Sequence, residues 1–230
     1  MIDTQLLIER GATYLNLPPE EVLFQEGSQC RYYFQVVSGQ VRWVNINQAG
    51  NEYLQTLVEQ GESIGELPLF DGKLYAATAI ANKPTCLLRL PKEDFHRLLI
   101  DFPQIHFSFS SLLAQRLRFK FFMLKKMAQH DPEDIIETLL EYLSEQKSHI
   151  CATCNQVQLT RRQIAEMTGL RVETVIRVMK NLNSKGVLRI YRRKVYFGDP
   201  ASCVHAQCKR VGFKRDNQKP GKFVIGMNYY

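Results

Sequence analysis

The chain has 230 residues, long enough to bury a full core and to form two domains. It is 45% hydrophobic and 23% charged, as expected of a globular protein, and no run of eighteen apolar residues marks a membrane span. The net charge of +7 is unevenly placed: residues 1–100 carry −4, 101–155 carry −1, 156–200 carry +7 and 201–230 carry +5. A basic excess confined to the C-terminal end is the footprint of a nucleic-acid-binding domain joined to a domain with another task. The first fifteen residues lack the basic start and long apolar core of a secretory signal, which predicts a cytoplasmic protein. A glycine-rich phosphate loop, a nucleophile elbow and a His-Asp-Ser set are all missing from the sequence, so an enzyme is not expected.

Residues 1–16 predict at most a weak amphipathic helix. From Glu21 to about Leu90 the pattern becomes short strands separated by glycine: Val22 to Phe24, Tyr32 to Val37, Val41 to Ile46, Tyr53 to Val58, Ala76 to Ala81 and Cys86 to Leu90. Gln48-Ala49-Gly50-Asn51 reads as a hairpin turn. Many short strands at regular spacing predict a β-barrel or sandwich. Pro91 opens a helical segment bearing Phe95, Leu98 and Leu99, and a longer helix follows Pro103. Its apolar positions Ile105, Phe109, Leu112, Phe119, Met123 and Met127 come close to a coiled-coil seam, interrupted by Arg116. Such a seam predicts self-association, while a core helix packed on the barrel would give the same pattern.

Asp131-Pro132-Glu133 restarts the chain with a cap, a proline at the first helical position and acids in the first turn. The stretch 158–190 then organises the C-terminal part. Thr160 and Gln163 form a capping-box pattern, and Ile164, Ala165 and Met167 give the first helix an apolar face. Gly169 breaks it, because glycine enters a left-handed turn without steric cost. A second helix from about Arg171 turns Val175, Val178, Met179 and Leu182 inward. Helix, glycine turn and helix make a helix-turn-helix, whose second helix lies in the DNA major groove. Leu188 to Ile190 and Val195 to Phe197 flank a basic turn through Tyr191, Arg192, Arg193 and Lys194, a wing whose tip is expected on phosphates.

The outward side of the second helix bears Arg171, Glu173, Thr174, Arg177 and Lys180. An arginine fork fits guanine O6 and N7, and a glutamate accepts from cytosine N4. A carboxylate facing DNA phosphates is electrostatically costly, which favours a base contact for Glu173. The plainer alternative is a surface ion pair between Glu173 and Arg177, four residues apart.

The barrel with SIGELPLF at 63–70, the long helix, and GLRVETVIR at 169–177 together resemble the cyclic-AMP receptor protein and fumarate–nitrate regulator (CRP/FNR) family. The likeness spans roughly residues 20–198. It implies an α+β fold: an N-terminal β-roll, a cyclic-nucleotide-binding-like barrel, over residues 1–102; a dimerisation helix over 103–130; and a winged helix-turn-helix over 131–200, followed by a basic tail at 201–230. It further implies a homodimeric transcription regulator bound to double-stranded DNA and working with RNA polymerase. By the same resemblance Glu173 and Arg177 read bases, with Val172 at the position that carries a base-reading arginine in the cyclic-AMP receptor. Arg162, Arg171 and Thr174 match phosphate contacts. Val-Glu-Thr at 172–174 is closer to the fumarate–nitrate branch, so TTGA-type half-sites are expected. A protein-docking role for the helix-turn-helix is the alternative, distinguished by weaker salt dependence.

The resemblance places an effector pocket at Gly65, Glu66 and Leu67, with the family's phosphate-binding Arg-Ser pair falling on Ala76 and Ala77. A phosphate buried without a cation is strongly disfavoured, which argues against cyclic AMP in the usual mode. The N-terminal cysteine cluster of the oxygen-sensing branch is missing, and no haem motif is present. Cys151 and Cys154 form a C-x-x-C, with Cys203 and Cys208 in the tail. Zinc ligation, a redox pair and plain reduced thiols are the three readings that this spacing permits.

Overall fold

The computed structural model describes residues 2–197. The tail, including Cys203 and Cys208, lies outside the described residues. A short helix α1 (Thr4–Glu9), capped by the Asp3 side chain, leads into strand β1 (Thr13–Leu17). Then come β2 (Val22–Phe24), β3 (Tyr32–Ser38), β4 (Val41–Ile46), β5 (Glu52–Val58) and β6 (Ser63–Ile64). A one-turn helix α2 (Leu67–Asp71) precedes β7 (Thr78–Ala81) and β8 (Thr85–Pro91). These strands form two four-stranded antiparallel sheets, ordered β1-β8-β3-β6 and β2-β7-β4-β5.

The sheets close on Leu17, Phe34, Val36 and Leu87 from one side, and Phe24, Val41, Val58, Ala79 and Ala81 from the other. Strand β7 is buried on both faces: Ala79 and Ala81 point into the barrel, while Ile80 joins the core that continues into the C-terminal helices. Small side chains suit this position because the barrel interior is already filled, with Phe24 stacked on Tyr75 at 3.7 Å. Gly65 makes that stack possible. It has φ +75°, and a Cβ there would sit 2.6 Å from the Phe24 ring.

Strand β1 departs from the sequence expectation of at most a helix over 1–16. Only Leu17 of its five residues is buried, so as an exposed edge strand it leaves almost no apolar alternation to read. It is held by register with β8, Thr13 opposite Arg89 and Leu17 opposite Thr85.

Helix α3 (Lys92–Asp101) leads to α4 (Pro103–Gln129), 27 residues long. Here the core-helix reading of the row is the one seen within the chain. Phe109, Phe119 and Met123 are buried within the chain: Phe109 against Tyr33 and Phe95, and Phe119 stacked 3.6 Å above Tyr142. The predicted row is therefore the face that packs on the barrel and on α5. A different row faces outward: Phe107, Ser110, Ala114, Leu117, Phe121, Leu124 and Ala128, all exposed and spaced three and four apart. Two apolar stripes on one helix are indistinguishable by periodicity, and only the barrel's position says which is covered.

His130, in a left-handed conformation (φ 56°), ends α4. Helices α5 (Pro132–Glu145), α6 (Arg161–Thr168) and α7 (Val172–Ser184) pack with a small antiparallel sheet of β9 (Gln156–Val157), β10 (Leu188–Tyr191) and β11 (Lys194–Phe197), ordered β10-β11-β9. Their core, including Ile136, Leu139, Ile164, Val175 and Leu182, is continuous with Leu54 and Leu57 of β5. The buried His149 adds a polar tie, its Nε2 lying 3.0 Å from the Leu57 carbonyl oxygen.

Candidate nucleic-acid interface

The capping box at α6 is complete. The Gln163 backbone N–H donates to the Thr160 hydroxyl at 3.1 Å, and the Thr160 N–H donates to Gln163 Oε1 at 2.8 Å. Thr168 closes the helix from inside, donating its hydroxyl to the Ile164 carbonyl at 2.6 Å. Gly169 follows at φ +69° and redirects the chain into α7. Helix α7 buries Val175, Val178, Met179 and Leu182. Its C-terminal end is moored to the first turn of α5, where Glu133 accepts from Asn181 at 2.6 Å and pairs with Lys185. The helix is thus fixed along its length, while its other side is left open.

On that open side Glu173, Ile176, Arg177 and Lys180 are exposed, and Thr174 is half-buried. Among the described residues neither Glu173 nor Arg177 makes an ion pair, so the surface-pair alternative for this spacing is not realised. Val172, at the helix start, is half-buried and packs against the core. Arg171 is the N-cap of α7 and is exposed. Arg162, with an 82% exposed side chain, pairs with Glu166 at 2.8 Å. That pair raises its pKa, with a smaller push from the Glu52 carboxylate of β5.

The wing tip is a two-residue turn in which both Arg192 (φ 47°) and Arg193 (φ 67°) are left-handed. Paired positive φ values match the twist of a tight hairpin, and arginines there are held at some backbone cost. Arg192 lies over the Tyr191 ring at 5.4 Å, and Arg192, Arg193 and Lys194 are all exposed. The structure thus brings the α7 row and the wing cations onto exposed positions of one small domain.

The second candidate site lies where the barrel meets α4. Glu66 is fully buried. Its carboxylate accepts from the Ser63 hydroxyl and, at 3.1 Å, from Arg116 Nη1 of α4. Burial, reinforced by the Glu66 charge, pushes the neighbouring Tyr33 phenol well above its ordinary pKa. One turn along α4, Lys120 donates to Gln55 at 2.6 Å, and partial desolvation together with the nearby Arg116 charge lowers its pKa although the residue remains exposed. Of the other pocket positions, Gly65 and Ala77 are buried while Leu67 and Ala76 are exposed. The Ala76 carbonyl accepts from Asn45 at 2.8 Å. Arg116 was the one residue of this cluster visible only as an interruption in an apolar row. The structure shows that this interruption meets the buried Glu66 carboxylate.

Cys151 and Cys154 stand in the turn before β9, with Cys154 buried against Tyr196. Among the described residues no cluster of three or more His, Cys, Asp or Glu could hold a metal ion.

Comparison with known proteins matches two stretches of the chain. A cyclic nucleotide-binding domain matches residues 14–101, and a Crp-like helix-turn-helix domain matches residues 135–202. A cyclic AMP receptor protein of Thermus thermophilus is 29% identical over 174 residues, covering 75% of this chain and 78% of its own length. The transcriptional activator protein FnrA of Stutzerimonas stutzeri is 27% identical over 191 residues, covering 82% and 77%. Among solved structures, FixK2 from Bradyrhizobium japonicum superposes with a TM-score of 0.67 at 21% identity, over 82% of this chain and 93% of its own, a likeness of fold.

Proposed function

The chain belongs to the CRP/FNR family of DNA-binding transcription regulators, and from that membership we propose that it acts as a homodimer reading a two-fold symmetric site with TTGA-type half-sites. The observation that carries this reading is the exposed Glu173–Arg177 pair on a helix otherwise fixed at both ends. Arg177 reads guanine through its fork, and Glu173 accepts from cytosine N4 on the facing strand. Val172 offers methyl groups rather than hydrogen bonds to the adjacent base. Arg162, Arg171, Thr174, Arg192, Arg193 and Lys194 supply phosphate contacts, which set register without reading sequence.

The dimer is formed through the outward row of α4, which has the alternating three- and four-residue spacing of a coiled-coil seam. The β-roll is the sensor, and it does not take cyclic AMP in the usual mode. Ala76 and Ala77 offer no side chain to a phosphate, and the Arg116 guanidinium beside Glu66 is already committed. RNA polymerase is the expected protein partner, and the cytoplasm the expected place of action.

Selection of bound sequences from a random DNA pool, at physiological salt with no effector added, tests this function. A symmetric motif with TGA-containing arms is the expected result. Enrichment of nothing, both with and without added nucleotides, would exclude it.

A further inference from the structure

The C-x-x-C turn serves neither the α7 surface nor the β-roll. It joins α5 to β9, and its backbone is closed by two hydrogen bonds. The Asn155 N–H donates to the Cys151 carbonyl at 2.8 Å, and the Cys151 N–H donates to the Gln156 carbonyl at 2.9 Å. A bond from residue i+4 to residue i is one turn of α-helix, in which positions i and i+3 face the same side. Both cysteines are thiols, and they differ in exposure: Cys151 is half-buried, whereas Cys154 is 2% exposed beneath Tyr196.

The surroundings of Cys151 favour its anion. Its Sγ lies 3.2 Å from the Thr153 hydroxyl, and the backbone N–H groups of Thr153 and Cys154 also point at it. Led by the Thr153 hydrogen bonds, these donors pull the thiol down to about 7, against a free thiol near 9. An accessible thiolate beside a shielded second thiol is the pairing that thiol–disulfide exchange requires, one sulfur attacking and the other resolving.

We propose that Cys151 and Cys154 form a dithiol site oxidised by low-molecular-weight disulfides, and that its two redox states hold the wing differently. In the first step the Cys151 thiolate attacks one sulfur of the small disulfide, forming a mixed disulfide and expelling a thiolate. Cys154 then loses its proton to solvent and attacks the Cys151 sulfur, which expels the second thiolate and leaves a Cys151–Cys154 bond. The dithiol gives up two electrons and the small disulfide becomes two thiols.

Residues i and i+3 of a helical turn have Cβ atoms about 5–6 Å apart, and a disulfide needs about 4 Å, so oxidation tightens the turn. That movement reaches the wing directly. Cys154 packs on Tyr196 of β11, Tyr196 is paired with Gln156, and the Phe197 N–H donates to the Asn155 carbonyl at 3.0 Å. β11 carries Lys194 and leads back to Arg192 and Arg193. The wing effect rests on the DNA-binding function proposed above, whereas the thiol chemistry does not, so the two are measured separately.

The full-length chain is equilibrated in glutathione redox buffers, quenched and mapped by mass spectrometry, and the pH dependence of Cys151 alkylation is followed. A Cys151–Cys154 bond and half-maximal alkylation near pH 7 are expected, the latter moving upward in Thr153→Val. In Cys154→Ser the reaction stops at a glutathione mixed disulfide on Cys151. On the DNA site recovered from the random pool, reduced and oxidised protein should differ in affinity by about fivefold or more, the lower range of ordinary coupling. That difference should vanish in the Cys151→Ser, Cys154→Ser double variant. Bridging of Cys151 to Cys203 or Cys208, failure to form any bridge, or equal affinities in both states would each overturn the proposal.

Discussion

Glu173 and Arg177 stand one helical turn apart, yet the ion pair that this spacing commonly forms is unmade. Each side chain is therefore free to meet a base without first breaking a contact. Replacing Arg177 with alanine should abolish preference for the specific site while leaving the oligomer intact; gel-shift competition and light scattering measure the two. Glu173→Ala should relax preference at a single base pair by about 1–3 kcal/mol, read from affinities for the four variants of that position. Residue types and their four-residue spacing were legible in the sequence. That Arg162 lies in the field of Glu52 was not, because Glu52 is distant along the chain and is brought near only by the docking of α6 on β5.

At the scale of elements, α4 carries the main lesson. Its two apolar stripes are offset by less than a turn, and the inner one is spent on Tyr33, Phe95 and Tyr142. Leu117→Glu with Phe121→Glu should therefore produce monomers of ordinary thermal stability and weak DNA affinity, as judged by analytical ultracentrifugation. Charge at Phe119 should instead unfold the chain locally, since that ring is stacked in its own core. For α6, Thr160→Ala removes the cap acceptor and should lower stability by about 1 kcal/mol in denaturant titration.

For the whole molecule the decisive contacts join the β-roll to the helices. Leu54 and Leu57 of β5 share one core with α6 and α7, and His149 reaches back to the Leu57 carbonyl. Arg116 places a helix cation on the buried carboxylate of the barrel motif. Arg116→Met would strand Glu66 without its partner and should cost about 3 kcal/mol, the lower end for such pairs because Arg116 keeps some solvent contact. Adding Glu66→Gln should recover much of that loss, and a thermal-melting double-mutant cycle reads the coupling. If the phosphate contacts proposed above are made, on the order of ten cations in a dimer, DNA affinity should fall roughly a thousandfold or more between about 50 and 200 mM salt. A flat salt dependence would point to a protein partner for α7.

Local information was enough for what depends on neighbours along the chain. The strands around Val22–Phe24, Tyr32–Val37, Val41–Ile46, Tyr53–Val58 and Cys86–Leu90, the Thr160–Gln163 capping box, the Gly169 turn and the inward face of α7 follow from strand-forming residues between glycine turns, capping chemistry and the freedom of glycine at positive φ. The acidic first half and basic end show in composition alone. Tertiary structure decided the rest. It paired the nearly featureless β1 with β8, chose which stripe of α4 is covered, and set Arg116 against Glu66 fifty residues away. It also laid the C-x-x-C turn against the wing. Each of these is a contact between segments remote in sequence. Periodicity records only that a face is apolar or that a charge interrupts it, whereas burial against a particular partner is fixed when the chain closes on itself.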